Sequence, residues 1–247
     1  MKIGVFDSGA GGLSVVKSLL DHKLFEEIIY YGDTARVPYG PKDANTVIRY
    51  ALEALEFFNN FNIDLLITAC NTVSAYAITE MQGKASYPVV GVIEPGIKAL
   101  ENSLTDKDAP ILIIGTRATI ASKRYQDALE LLGYHNLTAR QTGLFVSMVE
   151  EGIFEGPLLY ETMDHYFKEI DTPQAIILGC THFPLISDAI RGYFDDKPTL
   201  IHSGEAIVEY LEETHGIREK AEETKLSIYA SDNVEGLRAI AKRWLKN

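Results

Sequence analysis

The chain has 247 residues, 46% of them hydrophobic, with 35 acidic side chains against 23 lysines and arginines and a net charge of -12. That length buries an apolar core without staples, and the acidity argues against nucleic acid or an anionic membrane as the main partner. Two cysteines are too few for a disulfide framework, and no window approaches the roughly 18 to 20 apolar residues of a membrane span.

At the N-terminus, Met1-Lys2-Ile3-Gly4-Val5-Phe6-Asp7 reaches an acidic residue too soon for the apolar stretch of a secretory signal. The expected location is the cytoplasm, where both cysteines remain thiols. From there on, short β-branched runs alternate with segments of helical period, the signature of parallel strands joined by crossover helices. Strands are expected near Lys2 to Phe6, Ile28 to Tyr31, Leu65 to Thr68, Val89 to Val92, Ile111 to Gly115, Thr138 to Gln141, Ala175 to Leu178, Thr199 to Ile201 and Lys225 to Tyr229. Helices are expected over Gly12 to Asp21, Asp43 to Asn60, Thr72 to Gln82, Arg117 to Leu132, Gly156 to Glu169, Pro184 to Phe194, Gly204 to Glu213 and Asn233 to Leu245, the last with Ser231 and Asp232 as N-caps. The fold class is α/β. The polar stretch Glu101 to Pro110 is a candidate boundary between two domains in close contact.

An internal echo carries the chemistry. Leu65-Leu66-Ile67-Thr68-Ala69-Cys70-Asn71-Thr72 and Ala175-Ile176-Ile177-Leu178-Gly179-Cys180-Thr181-His182 share one plan: apolar strand, small residue, cysteine, polar residues, then a helix. Ligands of open parallel sheets sit outside the carboxyl ends of strands, where helix N-termini present free amides. A thiol there is expected to be drawn toward its thiolate form. Either cysteine alone is equally well a small apolar core residue; the matched pair points to a shared site. Inverting a carbon centre by proton transfer needs a base on one face and an acid on the other, and a facing thiolate and thiol meet that need. A carbanionic intermediate would need preorganised donors around the substrate carboxylate.

Asp7 ends a strand and leads into Ser8-Gly9-Ala10-Gly11-Gly12, whose glycines let amides approach an anion. The loop lacks the lysine and Ser/Thr of a P-loop. Asp7 also reads as a helix cap, His182 as a hydrogen-bonded histidine near a helix start supported by Pro184, Glu150 and Glu151 as a solvated helix end, and Tyr39 as loop packing. Cys180 with His182 lacks the companion ligands of a zinc site, so no metal is expected. No electron-sink cofactor is evident.

Six segments, FDSGAGGLSV at Phe6 to Val15, YGDTARVPYG at Tyr31 to Gly40, ACNT at Ala69 to Thr72, GVIEPG at Gly91 to Gly96, GTRATIAS at Gly115 to Ser122 and GCTHFPL at Gly179 to Leu185, resemble in order and spacing the glutamate racemases of the aspartate/glutamate racemase superfamily. The resemblance implies a cofactor-independent enzyme in which Cys70 takes the α-proton from D-glutamate and Cys180 from L-glutamate. Asp7 would assist Cys70, and His182 would assist Cys180. Ser8, Pro38, Tyr39, Gly40, Asn71, Thr72, Thr116, Thr119 and Thr181 would hold the substrate, and Glu150 matches an acidic residue of the family site. It further implies two similar three-layer α/β/α domains with largely parallel sheets, residues 1–95 plus 207–247 and residues 96–206, with the site in the cleft between them. A homodimer and supply of D-glutamate for peptidoglycan follow from the same likeness. Two positions depart from the usual pattern: Val73 is expected to pack, and Ser147, where proline is common, to loosen the loop bearing Glu150. Arg36 and Lys42 are expected to matter little for the chemistry. Aspartate racemisation, thiol redox chemistry and a small-anion binding module remain open, although no C-x-x-C motif supports the redox reading.

Overall fold

The computed structural model describes residues 1–218 and 220–245. The chain begins with β1 (Lys2–Asp7), α1 (Leu13–His22), β2 (Glu27–Gly32), α2 (Ala44–Phe58), β3 (Leu65–Thr68), α3 (Asn71–Tyr76), α4 (Ile78–Lys84) and β4 (Val89–Gly91). A connecting helix, α5 (Ile93–Ser103), leads to β5 (Ile111–Gly115), α6 (Arg117–Ala121), α7 (Arg124–Leu131), β6 (Leu137–Gln141), α8 (Leu144–Glu150), α9 (Pro157–Phe167), β7 (Ala175–Gly179), a 3-10 turn at Phe183–Ile186, α10 (Ser187–Tyr193) and β8 (Thr199–Ile201). The return runs through α11 (Ser203–Thr214) to β9 (Lys225–Ala230) and α12 (Val234–Trp244). Among the described residues no helix is long and apolar enough to cross a membrane.

The strands form two wholly parallel sheets, in the orders β4-β3-β1-β2-β9 and β6-β5-β7-β8. The central strands β3, β5 and β7 are buried at every residue, as expected of strands covered on both faces. Edge strands β6 and β9 are half-exposed and carry the polar residues Thr138, Arg140, Gln141 and Ser227.

Read outward from β1 and β5, the two sheets repeat one plan. β1 lies between β2 and β3, and β5 lies between β6 and β7. In each, the chain leaves the central strand to one side and then crosses back to pair on the other. That reversal opens a crevice at the carboxyl ends of the two strands concerned. Phe6 is level with Thr68 in the first pair, and Gly115 with Gly179 in the second. Asp7 and Cys70 therefore emerge at one crevice, and Thr116 and Cys180 at the other.

One apolar cluster runs from Ile3 and Val5 through Leu112 and Ile114 to Ile176 and Leu178, so the sheets share a continuous core. α11 packs on both α1 and α5. The boundaries read from the sequence, near 95 and 207, fall inside α5 and α11, the two helices that carry the chain between sheets.

All nine expected strands are present, but several helices differ. The segment Thr72 to Gln82 is two helices meeting at Ala77. Arg117 to Leu132 is broken where Lys123 adopts a left-handed conformation, φ 57°. The helix expected from Pro184 starts as the 3-10 turn. α5 was not expected; its Pro95 lies in the first turn, where proline is tolerated because the N–H groups there have no helical partner. α8, also unexpected, is a short, largely apolar segment whose period does not distinguish helix from strand. The cap of α12 is Asn233, whose side chain accepts from Gly236 N at 3.1 Å, rather than Ser231 or Asp232.

Candidate active site

Both cysteines line one cleft, together with Ser8, Pro38, Tyr39, Gly40, Asn71, Thr72, Thr116, Thr181 and His182. Cys70 and Cys180 are each 6% exposed. The free space within it is about 20 Å³, room for a single water molecule. Val37, Val146 and Gly179 also line it; none was expected, since apolar and small side chains beside a site look in sequence like any core residue.

Cys70 is the residue before α3, and its Sγ lies 3.6 Å from Ser8 Oγ. Burial is the largest influence on this thiol and the charge of Asp7 the next; both raise it, to about 12. The expectation that a helix terminus would draw Cys70 toward thiolate is thus reversed. A six-residue helix offers a weak dipole, and desolvation beside a carboxylate outweighs it.

Asp7 is fully buried at the end of β1. Its carboxylate accepts from Gly9 N at 3.0 Å and, across the cleft, from Thr181 Oγ1 at 3.3 Å. Burial raises its pKa, partly opposed by the charge of His182. The loop after β1 comes hard against the second half: a Cβ on Gly11 would stand 2.6 Å from His182 Nδ1. Only glycine allows that approach. Ser14 Oγ donates to Thr181 O at 2.9 Å and holds the same junction.

On the other side, Cys180 Sγ lies 3.6 Å from His182 Nδ1, and His182 Nε2 lies 2.5 Å from Glu150 Oε1. Burial lowers the basicity of this ring, but hydrogen bonds to Cys180 and Glu150 prevail and raise its pKa to about 10. Glu150 does not line the cleft; it acts on the ring behind the sulfur. It ends the helix α8, in which Ser147 is an exposed residue, so Ser147 loosens no loop. Val73 is fully buried among apolar neighbours, as expected.

Three threonine hydroxyls knit the two halves together. Thr116 caps α6, its Oγ1 accepting from Thr119 N at 3.2 Å, and it lies 3.0 Å from both Thr72 Oγ1 and Thr119 Oγ1. Thr119 is fully buried behind the cleft wall and reaches Thr72 at 3.4 Å. Next to them Ala118 N donates to Gly40 O at 3.1 Å, which seats the Val37 to Gly40 loop across the cleft mouth. Tyr39 in that loop is buried, and its hydroxyl bonds the fully buried Asp33. Asp33 was not singled out in sequence.

The arrangement offers two sulfurs, each with its own acid–base neighbours, in a small cleft walled largely by hydroxyls and amides. A family model described as Asp/Glu/Hydantoin racemase matches residues 14–211. The glutamate racemase of Nitratiruptor sp. is 60% identical over 100% of this chain and 97% of its own length. A crystal structure of glutamate racemase from Campylobacter jejuni subsp. jejuni superposes with a TM-score of 0.98 at 58% identity, covering 100% of this chain and 98% of that one. The glutamate racemase of Francisella tularensis subsp. tularensis SCHU S4, crystallised with D-glutamate, gives 0.87 at 33% identity, covering 100% and 94%.

Proposed function

This chain belongs to the Asp/Glu/Hydantoin racemase family and is an isomerase, and from that premise we propose that it interconverts L- and D-glutamate by proton transfer between Cys70 and Cys180. The observation that carries the reading is that both thiols, from equivalent switch points of the two sheets, line one cleft. In the L-to-D direction the Cys180 thiolate removes the α-proton and becomes a thiol. The electron pair left on carbon is delocalised into the adjacent carboxylate, and Cys70 gives its proton to the opposite face, becoming the thiolate. The reverse reaction exchanges the roles.

His182, held by Glu150, assists Cys180, and Asp7 assists Cys70. Ser8, Pro38, Tyr39, Gly40, Asn71, Thr72, Thr116, Thr119 and Thr181 bind the carboxylates and ammonium or fix the groups that do. Hydroxyl and amide donors suit two carboxylates, and a closed space strengthens them by excluding water. The space is too small for glutamate as it stands, so the substrate enters by parting the Val37 to Gly40 loop from α6 or one half from the other. The division into residues 1–95 plus 207–247 and 96–206 belongs to the same reading, as do a cytoplasmic homodimer and D-glutamate supply for peptidoglycan.

The test is circular dichroism of pure L- or D-glutamate with the purified chain in deuterium oxide, no cofactor added. The expected result is loss of optical activity with deuterium entering the α-carbon, abolished in Cys70→Ser and in Cys180→Ser. Full activity in either variant overturns the two-thiol reading, and activity confined to aspartate overturns the substrate.

A further inference from the structure

Tyr125, on α7, is absent from the cleft wall but touches the chain next to both sulfurs. It is 1% exposed. Its hydroxyl donates to Asn71 Oδ1 at 2.7 Å, and Asn71 directly follows Cys70. Its ring lies against Gly179, which directly precedes Cys180: a Cβ there would sit 3.5 Å from Tyr125 Cε2. The hydroxyl end packs beside Gly96 of α5, where a Cβ would stand 3.3 Å from the oxygen. Asn71 then passes the connection on, donating Nδ2 to Ser203 Oγ at 3.4 Å, the first residue of α11.

Both helices that cross between the sheets are therefore tied to the residues adjoining the sulfurs. Burial first, and the charge of Cys180 second, hold the phenol proton well above its ordinary range. The hydroxyl is a fixed donor and takes no proton itself. It leaves Asn71 Oδ1 one committed direction, so the amide, and the turn that carries Cys70, have one orientation.

We propose that Tyr125 is a positioning residue of the racemisation site, which sets the Cys70 turn at the separation from Cys180 that proton transfer across the substrate requires. This rests on the two-thiol reading above. Enantiomers have equal energy, so any variant must lower kcat/KM equally in both directions, and the ratio of directions carries no information. The step in which each sulfur removes hydrogen does.

The experiment compares wild type with Tyr125→Phe, which keeps the ring against Gly96 and Gly179, and with Ser203→Ala, which loosens Asn71 from its other end. Measured are kcat, KM and the primary isotope effects on D- and L-glutamate deuterated at the α-carbon. For Tyr125→Phe, kcat is expected to fall about tenfold, the order for losing a buried hydrogen bond that orients a reacting group. KM should change less than twofold, and the isotope effect should rise more for the D-enantiomer, where Cys70 removes hydrogen. Ser203→Ala should give a smaller change of the same sign.

A folded Tyr125→Phe with wild-type kcat, or an isotope effect that rises equally for both enantiomers, overturns the proposal. If Tyr125→Phe does not fold, an unaltered kcat and isotope effect in Ser203→Ala overturns it. Wild type that fails to racemise glutamate, or that survives loss of either cysteine, sinks the two-thiol reading instead; active wild type beside an unaffected Tyr125→Phe sinks the positioning role alone.

Discussion

Glu150 and His182 meet at 2.5 Å, Oε1 to Nε2, while the other ring nitrogen faces Cys180 Sγ at 3.6 Å. An imidazole with an acceptor at each nitrogen is best satisfied when it carries both protons, because the neutral ring donates from only one. That is why His182 is held up near 10 in spite of its burial.

Glu150→Gln removes the negative charge that favours the imidazolium and leaves only a neutral, weaker amide acceptor for Nε2. Activity that depends on a protonated His182 fades as pH rises through its pKa, so the variant should lose activity earlier on the alkaline side. The expected shift of the alkaline limb of kcat/KM is one unit or more downward, with kcat lower by about 10- to 100-fold at neutral pH, within the range for acid–base groups. A pH–rate profile from 6 to 10.5 measures it; a limb that stays in place argues that Glu150 is a solvated helix end.

Cys70 is expected to hold its proton far above the ordinary thiol range. In a Cys180→Ser variant, the rate of iodoacetamide labelling at Cys70, read by peptide mapping, should still be climbing at pH 10.5. Levelling near 9 contradicts the assignment. The same shift is a stability statement: a thiol at 9.0 in the unfolded chain and about 12 in the fold favours folding fully below 9, and this contribution is lost as pH rises toward 12. The urea midpoint should drop between pH 8 and 11 by more in wild type than in Cys70→Ser.

The fold was legible because β1, β3, β5 and β7 are central parallel strands whose double burial writes an unbroken apolar run. The sulfurs were legible because equivalent strands end in the same pattern. Tyr125 and Asp33 were not: a buried tyrosine carries the code of any core aromatic, and its partner lies 54 positions away. The protonation of Cys70 was misread for a related reason. Sequence displays the helix that follows a cysteine, whereas the neighbouring carboxylate of Asp7 comes from another strand.

Arg36 was expected to matter little for the chemistry, and the structure places it at one remove from the cleft. Its Nε lies 2.6 Å from Asp33 Oδ2, the oxygen that also receives the Tyr39 hydroxyl, and it pairs with Glu53. Its guanidinium stacks on Tyr50 at 4.0 Å. Arg36→Ala leaves Asp33 buried beside Tyr39 without its cation. The expected outcome is several-fold lower kcat/KM, carried mainly by KM as the Tyr39 loop loosens, and a loss of about 1 to 3 kcal/mol in stability. Lys42→Ala should match wild type in steady-state kinetics. Wild-type KM in Arg36→Ala would show that Arg36 does not hold the Tyr39 loop.

Gly11 faces a sharper constraint, because what stands beyond it cannot retreat. A Cβ there would clash with Thr181 Oγ1 and stand 2.6 Å from two atoms of the His182 ring. Thr181 is held by its bond to Asp7, and His182 is held by Glu150 and Cys180. Gly11→Ala therefore moves the loop, drawing Ser8 and the Cys70 side of the cleft away from Cys180 by roughly an ångström. Misplacement of that size costs on the order of 100-fold in rate, while overpacking relieved by a shift of this buried loop costs about 1 to 3 kcal/mol. The expected variant is folded but nearly inactive. Gly143→Ala, where a Cβ meets nothing within 4 Å, is the matched control and should keep full activity. If Gly11→Ala racemises at the wild-type rate, the contact between the β1 loop and His182 is not what sets the distance between the sulfurs.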